Sequence, residues 1–141
     1  MPNKSLGQHW LKDRLILEAI ADCAELSKTD TVLEIGPGLG TLTSVLLQKA
    51  GQVVAVEFDE ALARKLPGQF PGTSLTVRHE NILDFDTDNF VHVYKVVGNI
   101  PYYITGAILS RFLSHTYQPT IMVVLVQKEV AERVCARDGK E

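Results

Sequence analysis

Thr31-Val32-Leu33-Glu34-Ile35, followed at once by Gly36-Pro37-Gly38-Leu39-Gly40, decides the fold. The first five residues are a short apolar run bounded by turn residues, which reads as a strand. The glycine cluster ends it, and residues 41–50 follow with a helical pattern. A second strand, Val53-Val54-Ala55-Val56-Glu57, is continuously apolar up to its last residue. Such a run is expected of a strand buried on both faces, as in a parallel sheet.

The same alternation extends in both directions. Upstream, residues 13–26 read as an amphipathic helix that Asp13 can cap, with Ile16, Ile20, Cys23 and Ala24 on one stripe. Downstream, residues 59–66 make a short helix that Pro67-Gly68 ends, and Leu75-Thr76-Val77 is a third strand. Val93 to Val97 form a fourth strand, closed by the turn Gly98-Asn99-Ile100-Pro101-Tyr102-Tyr103. Residues 105–114 are helical, Thr120 to Val126 is a fifth strand, and residues 128–137 begin another helix. Strand and helix in strict alternation predict an α/β fold with a doubly wound, mostly parallel sheet.

Composition is that of an ordinary globular chain. Of 141 residues, 45% are hydrophobic and 22% charged, which excludes collagen-like, low-complexity and disordered classes. The net charge of −3 argues against a dedicated nucleic-acid arm or a membrane-surface anchor. Acid concentrates in residues 31–90, with 8 acidic and 4 basic groups, whereas residues 91–141 carry 4 and 6. The start of the chain has no signal-peptide core and no stretch reaches the length of a membrane span, so a cytoplasmic location is expected. Cys23 and Cys135 form no ligand spacing and read as small buried side chains in a reducing compartment. His9, His79, His92 and His115 show no i, i+4 pair, and no metal is expected.

In an open α/β sheet, ligands bind beyond the carboxyl ends of the strands where strand order reverses. The glycine turn 36–40 occupies such a position, and glycine lets backbone approach a ligand closely. A dinucleotide fingerprint needs a third glycine three positions after the second, but Thr41 stands there. Glu57, at the end of the second strand, is placed to accept hydrogen bonds from both ribose hydroxyls of an adenosine cofactor. Turn and acid together leave nicotinamide dinucleotide and S-adenosylmethionine both open.

Asn99-Ile100-Pro101-Tyr102 narrows the chemistry. The asparagine carbonyl and a neighbouring backbone carbonyl can accept both hydrogens of a planar exocyclic amine. Those bonds favour a nitrogen turning tetrahedral, which frees its lone pair for attack. Pro101 stiffens the turn, and Tyr102 can stack on the base that carries the amine. No special general base is needed, because positioning and electrostatics supply the catalysis.

These segments resemble the ribosomal RNA adenine dimethyltransferases, S-adenosylmethionine enzymes with a Rossmann-like class I methyltransferase fold. The resemblance rests on Leu6-Gly7-Gln8-His9-Trp10-Leu11, on Glu34 to Thr43, on Glu57, on Asn99 to Thr105, and on Gln127-Lys128-Glu129-Val130-Ala131-Glu132-Arg133. It implies methylation of two adjacent adenosines near the 3′ end of small-subunit ribosomal RNA, with the small ribosomal subunit as partner. It also implies that Gln8, His9 and Leu11 lie over the cofactor, that Gly36 and Gly38 pass beneath it, and that Glu57 holds its ribose. Asn99 would contact the cofactor and hold the target amine, with Pro101 and Tyr102 completing the catalytic set. Asn81 stands where the family usually has aspartate against the cofactor's adenine, and its carbonyl can still accept from that amine. His9 stands where asparagine is common.

The related large-subunit methyltransferases share the first and fourth motifs, but the run from Gln127 to Arg133 looks more like the small-subunit branch. A DNA adenine or protein glutamine methyltransferase fits the amino-terminal segment less well. Family members add two further strands and a helical RNA-gripping domain, so residues 1–141 are expected to be a catalytic domain truncated after the fifth strand. That strand would then be an exposed edge protected by self-association. A chain of this extent could also bind S-adenosylmethionine without turnover.

Overall fold

The computed structural model of the chain describes residues 14–90 and 93–126. Helix α1 (Arg14–Cys23) leads into strand β1 (Thr31–Ile35), helix α2 (Thr41–Lys49), strand β2 (Gln52–Glu57), helix α3 (Glu60–Gln69) and strand β3 (Leu75–His79). Two short 3-10 turns, Ile82–Asp84 and Thr87–Asn89, precede strand β4 (Tyr94–Ile100), helix α4 (Tyr102–Leu113) and strand β5 (Met122–Val126). The five strands form one sheet in the order β3-β2-β1-β4-β5. Every pairing is parallel, so the doubly wound α/β expectation holds.

Strand order reverses between β1 and β4, whose register sets Ile35 opposite Gly98. The glycine turn after β1 and the segment after β4 therefore leave the same edge side by side. Because side chains alternate along a strand, β1 feeds two cores. Val32 joins Val53, Val97, Leu17, Ala21, Val45 and Leu46 beneath α1 and α2. Leu33 and Ile35 join Val56, Val96, Ile82, Phe85, Ile108 and Phe112 on the opposite face.

Four local expectations need correction. The buried stripe of α1 is Leu17, Ile20 and Ala21, continued by Ala24. These positions follow the i, i+3, i+4, i+7 pattern, which turns Cys23 out to an exposed position. Helix α3 runs through Pro67 and Gly68 to Gln69. Proline near a helix C-terminus forfeits a single hydrogen bond, and the Phe70 N–H closes the end on the Pro67 carbonyl at 3.2 Å. Strand β4 runs through Gly98 and Asn99 to Ile100, because β5 pairs alongside at Asn99↔Leu125 and Ile100↔Val126. Helix α4 consequently starts at Tyr102, with Pro101 as its N-cap. Asp13, Cys135 and the helix expected over 128–137 lie outside the described residues. Among the described residues, no helix is long and apolar enough to cross a membrane.

Candidate active site

The glycine turn is shaped by backbone geometry that side chains disfavour. Gly36 has φ +67° and Gly38 has φ +58°, in the left-handed region. A Cβ at Gly36 would stand 3.1 Å from the backbone carbonyl oxygen of Asn99, whereas one at Gly38 would meet nothing within 4 Å among the described residues. The first glycine thus permits close contact with β4, and the second meets no described residue above the turn. The Gly36 N–H donates to the Val56 carbonyl at 3.0 Å, extending the β1–β2 ladder by one bond.

Glu57 ends β2 beside this turn and is buried, with 8% exposure. Its Oε1 accepts the Gly38 N–H at 2.9 Å, and its Oε2 accepts the Asp59 N–H at 2.9 Å. Two backbone donors therefore fix the carboxylate in one orientation. Phe58 projects next to it with 73% exposure. The Phe58 carbonyl is in hydrogen-bond contact with His79 Nε2 at 3.0 Å, which ties this loop to the end of β3.

Beyond β3, Asn81 is exposed and its Oδ1 accepts the Leu83 N–H at 3.0 Å, capping the first 3-10 turn. The carbonyl expected to receive a ligand amine is thus shared with backbone, and one lone pair remains on it.

At the end of β4, Asn99 is half-buried. Pro101 has φ −61° and ψ 145° and starts α4. The Thr105 hydroxyl donates to the Pro101 carbonyl at 3.0 Å, pinning the first turn of the helix. Tyr102 is 40% exposed and Tyr103 is 80% exposed. Gly36, Gly38, Glu57, Asn99, Pro101 and Tyr102 are thus gathered along one sheet edge, with Asn81 after the neighbouring β3. Gln8, His9 and Leu11 lie outside the described residues.

Sequence reading passed over a second acid. Glu34 is buried on β1 at 1% exposure, and the Thr43 hydroxyl donates to its Oε1 at 2.5 Å. Burial pushes its carboxyl up to about 8, against the opposing Thr43 hydrogen bond and with help from the nearby Glu57 charge. An acid inside a strand otherwise read as buried was the available signal. Elsewhere His115 gathers with Asp86 and Asp88 so that their ligand atoms lie within 4.8 Å of one another. Asp86 there caps the Asp88 N–H at 2.9 Å.

A family model described as ribosomal RNA adenine dimethylase matches residues 2–141. A ribosomal RNA small subunit methyltransferase A from Dehalococcoides mccartyi is 46% identical over 140 residues, covering 96% of this chain and 48% of that protein. The chain spans about half the length of the curated relatives it matches. Among solved structures, a dimethyladenosine transferase from Plasmodium falciparum superposes with TM-score 0.73 at 30% identity, covering 88% of this chain and 45% of its own. The 23S rRNA methyltransferase ErmE superposes with TM-score 0.75 at 34% identity, covering 91% of this chain and 52% of its own. The sheet order, the glycine turn latched to Glu57 and the Asn99 segment beside it agree with these likenesses: the chain belongs to the ribosomal RNA adenine dimethylase family.

Proposed function

We propose that the chain is the S-adenosylmethionine-binding catalytic domain of a ribosomal RNA adenine dimethyltransferase. Its substrate would be two adjacent adenosines near the 3′ end of small-subunit ribosomal RNA. The observation that carries this reading is the convergence of Gly36, Gly38 and Glu57 with Asn99 at one sheet edge, so close that a Cβ at Gly36 would stand 3.1 Å from the Asn99 backbone carbonyl oxygen.

The donor set suits the cofactor. Each Glu57 oxygen accepts one backbone N–H, and a carboxylate offers about four acceptor sites, so each oxygen keeps one for a ribose hydroxyl. Among the described residues, the space over Gly38 is open and leaves room for the ligand. When bound, S-adenosylmethionine supplies a methyl group on a cationic sulfur. Gln8, His9, Leu11 and Asn81 complete the cofactor contacts on this reading.

Asn99 and a neighbouring backbone carbonyl hold the adenine amine, directing its lone pair toward the methyl group. Tyr102 stacks on the base, and Pro101 fixes the distance between the two. The methylated amine then loses its proton to water. Charge on this surface is acidic in residues 31–90, so the RNA grip falls to other parts of the full-length relatives. Strand β5 ends the described sheet order, and on this reading the chain pairs through that edge with a second copy.

The test is transfer of labelled methyl groups to small ribosomal subunits that lack the modification, with large subunits in parallel. Dimethylated adenosine in small-subunit RNA alone supports the proposal. Transfer to the large subunit instead favours the reading suggested by the likeness to ErmE. Cofactor binding without transfer to either supports a binding role for this chain alone.

A further inference from the structure

Two buried polar side chains lie under the glycine turn and take no part in the chemistry above. Glu34 precedes the turn and Thr43 follows it, and their hydrogen bond joins β1 to α2 across its base. Within this closure the Gly40 N–H donates to the Pro37 carbonyl at 2.9 Å. An apolar pair would pack there without the desolvation penalty of a carboxyl group.

Val32 and Val53 share one core cluster. Side-chain alternation therefore sets Glu34 and Glu57 on that same sheet face, both near its carboxyl edge. Among the described residues, the elements packed on this face bring few other charges close; on β3, His79 is the register partner of Glu57 and its Nε2 is in hydrogen-bond contact with the Phe58 carbonyl at 3.0 Å. On α1, Arg14 and Glu18 pair at 3.0 Å near the surface, and Asp22 is exposed. Lys49 is in the last turn of α2, at its far end. On α3, Glu60 and Arg64 pair at 3.0 Å on the outside, and Lys65 is exposed. Lys95 sits at the opposite end of β4, held by Asp30 at 3.1 Å, and β5 contributes Val123 and Leu125.

We propose that Glu34 is a positioning residue of the cofactor site: held by Thr43, its carboxyl group sets the glycine turn and gives up a proton when the cationic cofactor binds. This inference rests on the cofactor reading above. Burial disfavours a charged Glu34, and the Glu57 charge on the same face adds to that, so Glu34 carries the proton on Oε2 while Oε1 accepts from Thr43. A bound sulfonium offsets negative charge on this face and so favours the ionised Glu34 carboxyl, the Glu34 O–H bond breaks, and the proton passes to solvent buffer. The uncharged thioether left after methyl transfer provides no such offset. The site thereby distinguishes substrate cofactor from product cofactor by charge. Burial lifts Glu34 to about 8, so near pH 7 it has a proton to release.

The test is titration calorimetry of the 141-residue chain at pH 7 in two buffers of different ionisation heat. Binding of S-adenosylmethionine is expected to release on the order of half a proton, and S-adenosylhomocysteine markedly less. Glu34→Gln should abolish the buffer dependence while the variant still binds. Thr43→Val, which keeps the acid but removes its hydrogen-bond donor, should move the pH midpoint of proton release upward. Buffer-independent heats in the unaltered chain overturn the inference, as does the same proton release in Glu34→Gln. Should Glu34→Gln not fold, an unmoved midpoint in Thr43→Val overturns it. Failure of the unaltered chain to bind S-adenosylmethionine at all overturns the cofactor reading itself.

Discussion

The backbone N–H of Gly38 donates to Glu57 Oε1 at 2.9 Å, so the turn after β1 and the end of β2 form one unit. The second oxygen of Glu57 is held by the Asp59 N–H at the start of α3. One carboxylate thus organises two loops and remains available to a ligand.

Removing that carboxylate is expected to free the Gly38 amide and delete the ribose acceptors together. Charge-assisted hydrogen bonds contribute about 1.5–3 kcal/mol each, so Glu57→Ala should weaken S-adenosylmethionine binding by roughly two orders of magnitude. Glu57→Gln should also weaken it, because an amide NH2 would face either the Gly38 or the Asp59 N–H. Calorimetric titration of both variants checks this, and affinity within twofold of the unaltered chain would count against the assigned role.

Gly36→Ala combines two penalties. Its φ of +67° costs an L residue about 1–2 kcal/mol, and the added Cβ would press on the Asn99 carbonyl at 3.1 Å. Chemical denaturation should show the stability loss. Methyl transfer, measured alongside, should fall further than cofactor affinity, because the displaced group belongs to the base-facing side.

Much of this arrangement was legible in the residues themselves. The run Thr31 to Gly40, the apolar second strand and the acid at its end specify β1, β2 and their turn, because burial on both faces and left-handed backbone leave distinctive residue types. Boundaries were less legible where tertiary pairing decides them. Gly98 and Asn99 look like a turn, yet β5 pairs beside them and keeps them in β4. Pro67 looks like a stop signal, yet its place in the last turn of α3 makes the lost bond tolerable. The Thr43–Glu34 bond was illegible, because nothing in the spacing of nine residues shows that α2 folds back over β1.

At the other end of the sheet, Lys95 Nζ contacts Asp30 Oδ2 at 3.1 Å and donates to the Glu25 carbonyl at 2.7 Å. Burial raises the Asp30 pKa, but the Ser27 N–H and the Lys95 ammonium outweigh it and hold the carboxyl below its ordinary value. A lowered folded-state pKa contributes stability that is present above the unfolded value and lost as pH falls through the folded one. Thermal denaturation should therefore show the chain losing stability below about pH 4. Lys95→Met should cost about 1–3 kcal/mol near neutral pH by stranding Asp30 and should shrink the acid-dependent part of the loss. An unchanged acid limb in Lys95→Met would remove Asp30 from the explanation.

The central claim is that Asn99 acts on the target amine while Gly36, Gly38 and Glu57 hold the cofactor. Single-turnover methyl transfer to unmodified small-subunit RNA, measured with cofactor affinity in the same preparation, tests it most directly. The comparison is Asn99→Ala against the unaltered sequence, with this chain joined to the part of its Dehalococcoides mccartyi relative that it does not cover. The account predicts transfer reduced by at least two orders of magnitude, as for loss of a positioned transition-state acceptor, with S-adenosylmethionine affinity within about threefold. Transfer at the unaltered rate in Asn99→Ala would contradict it.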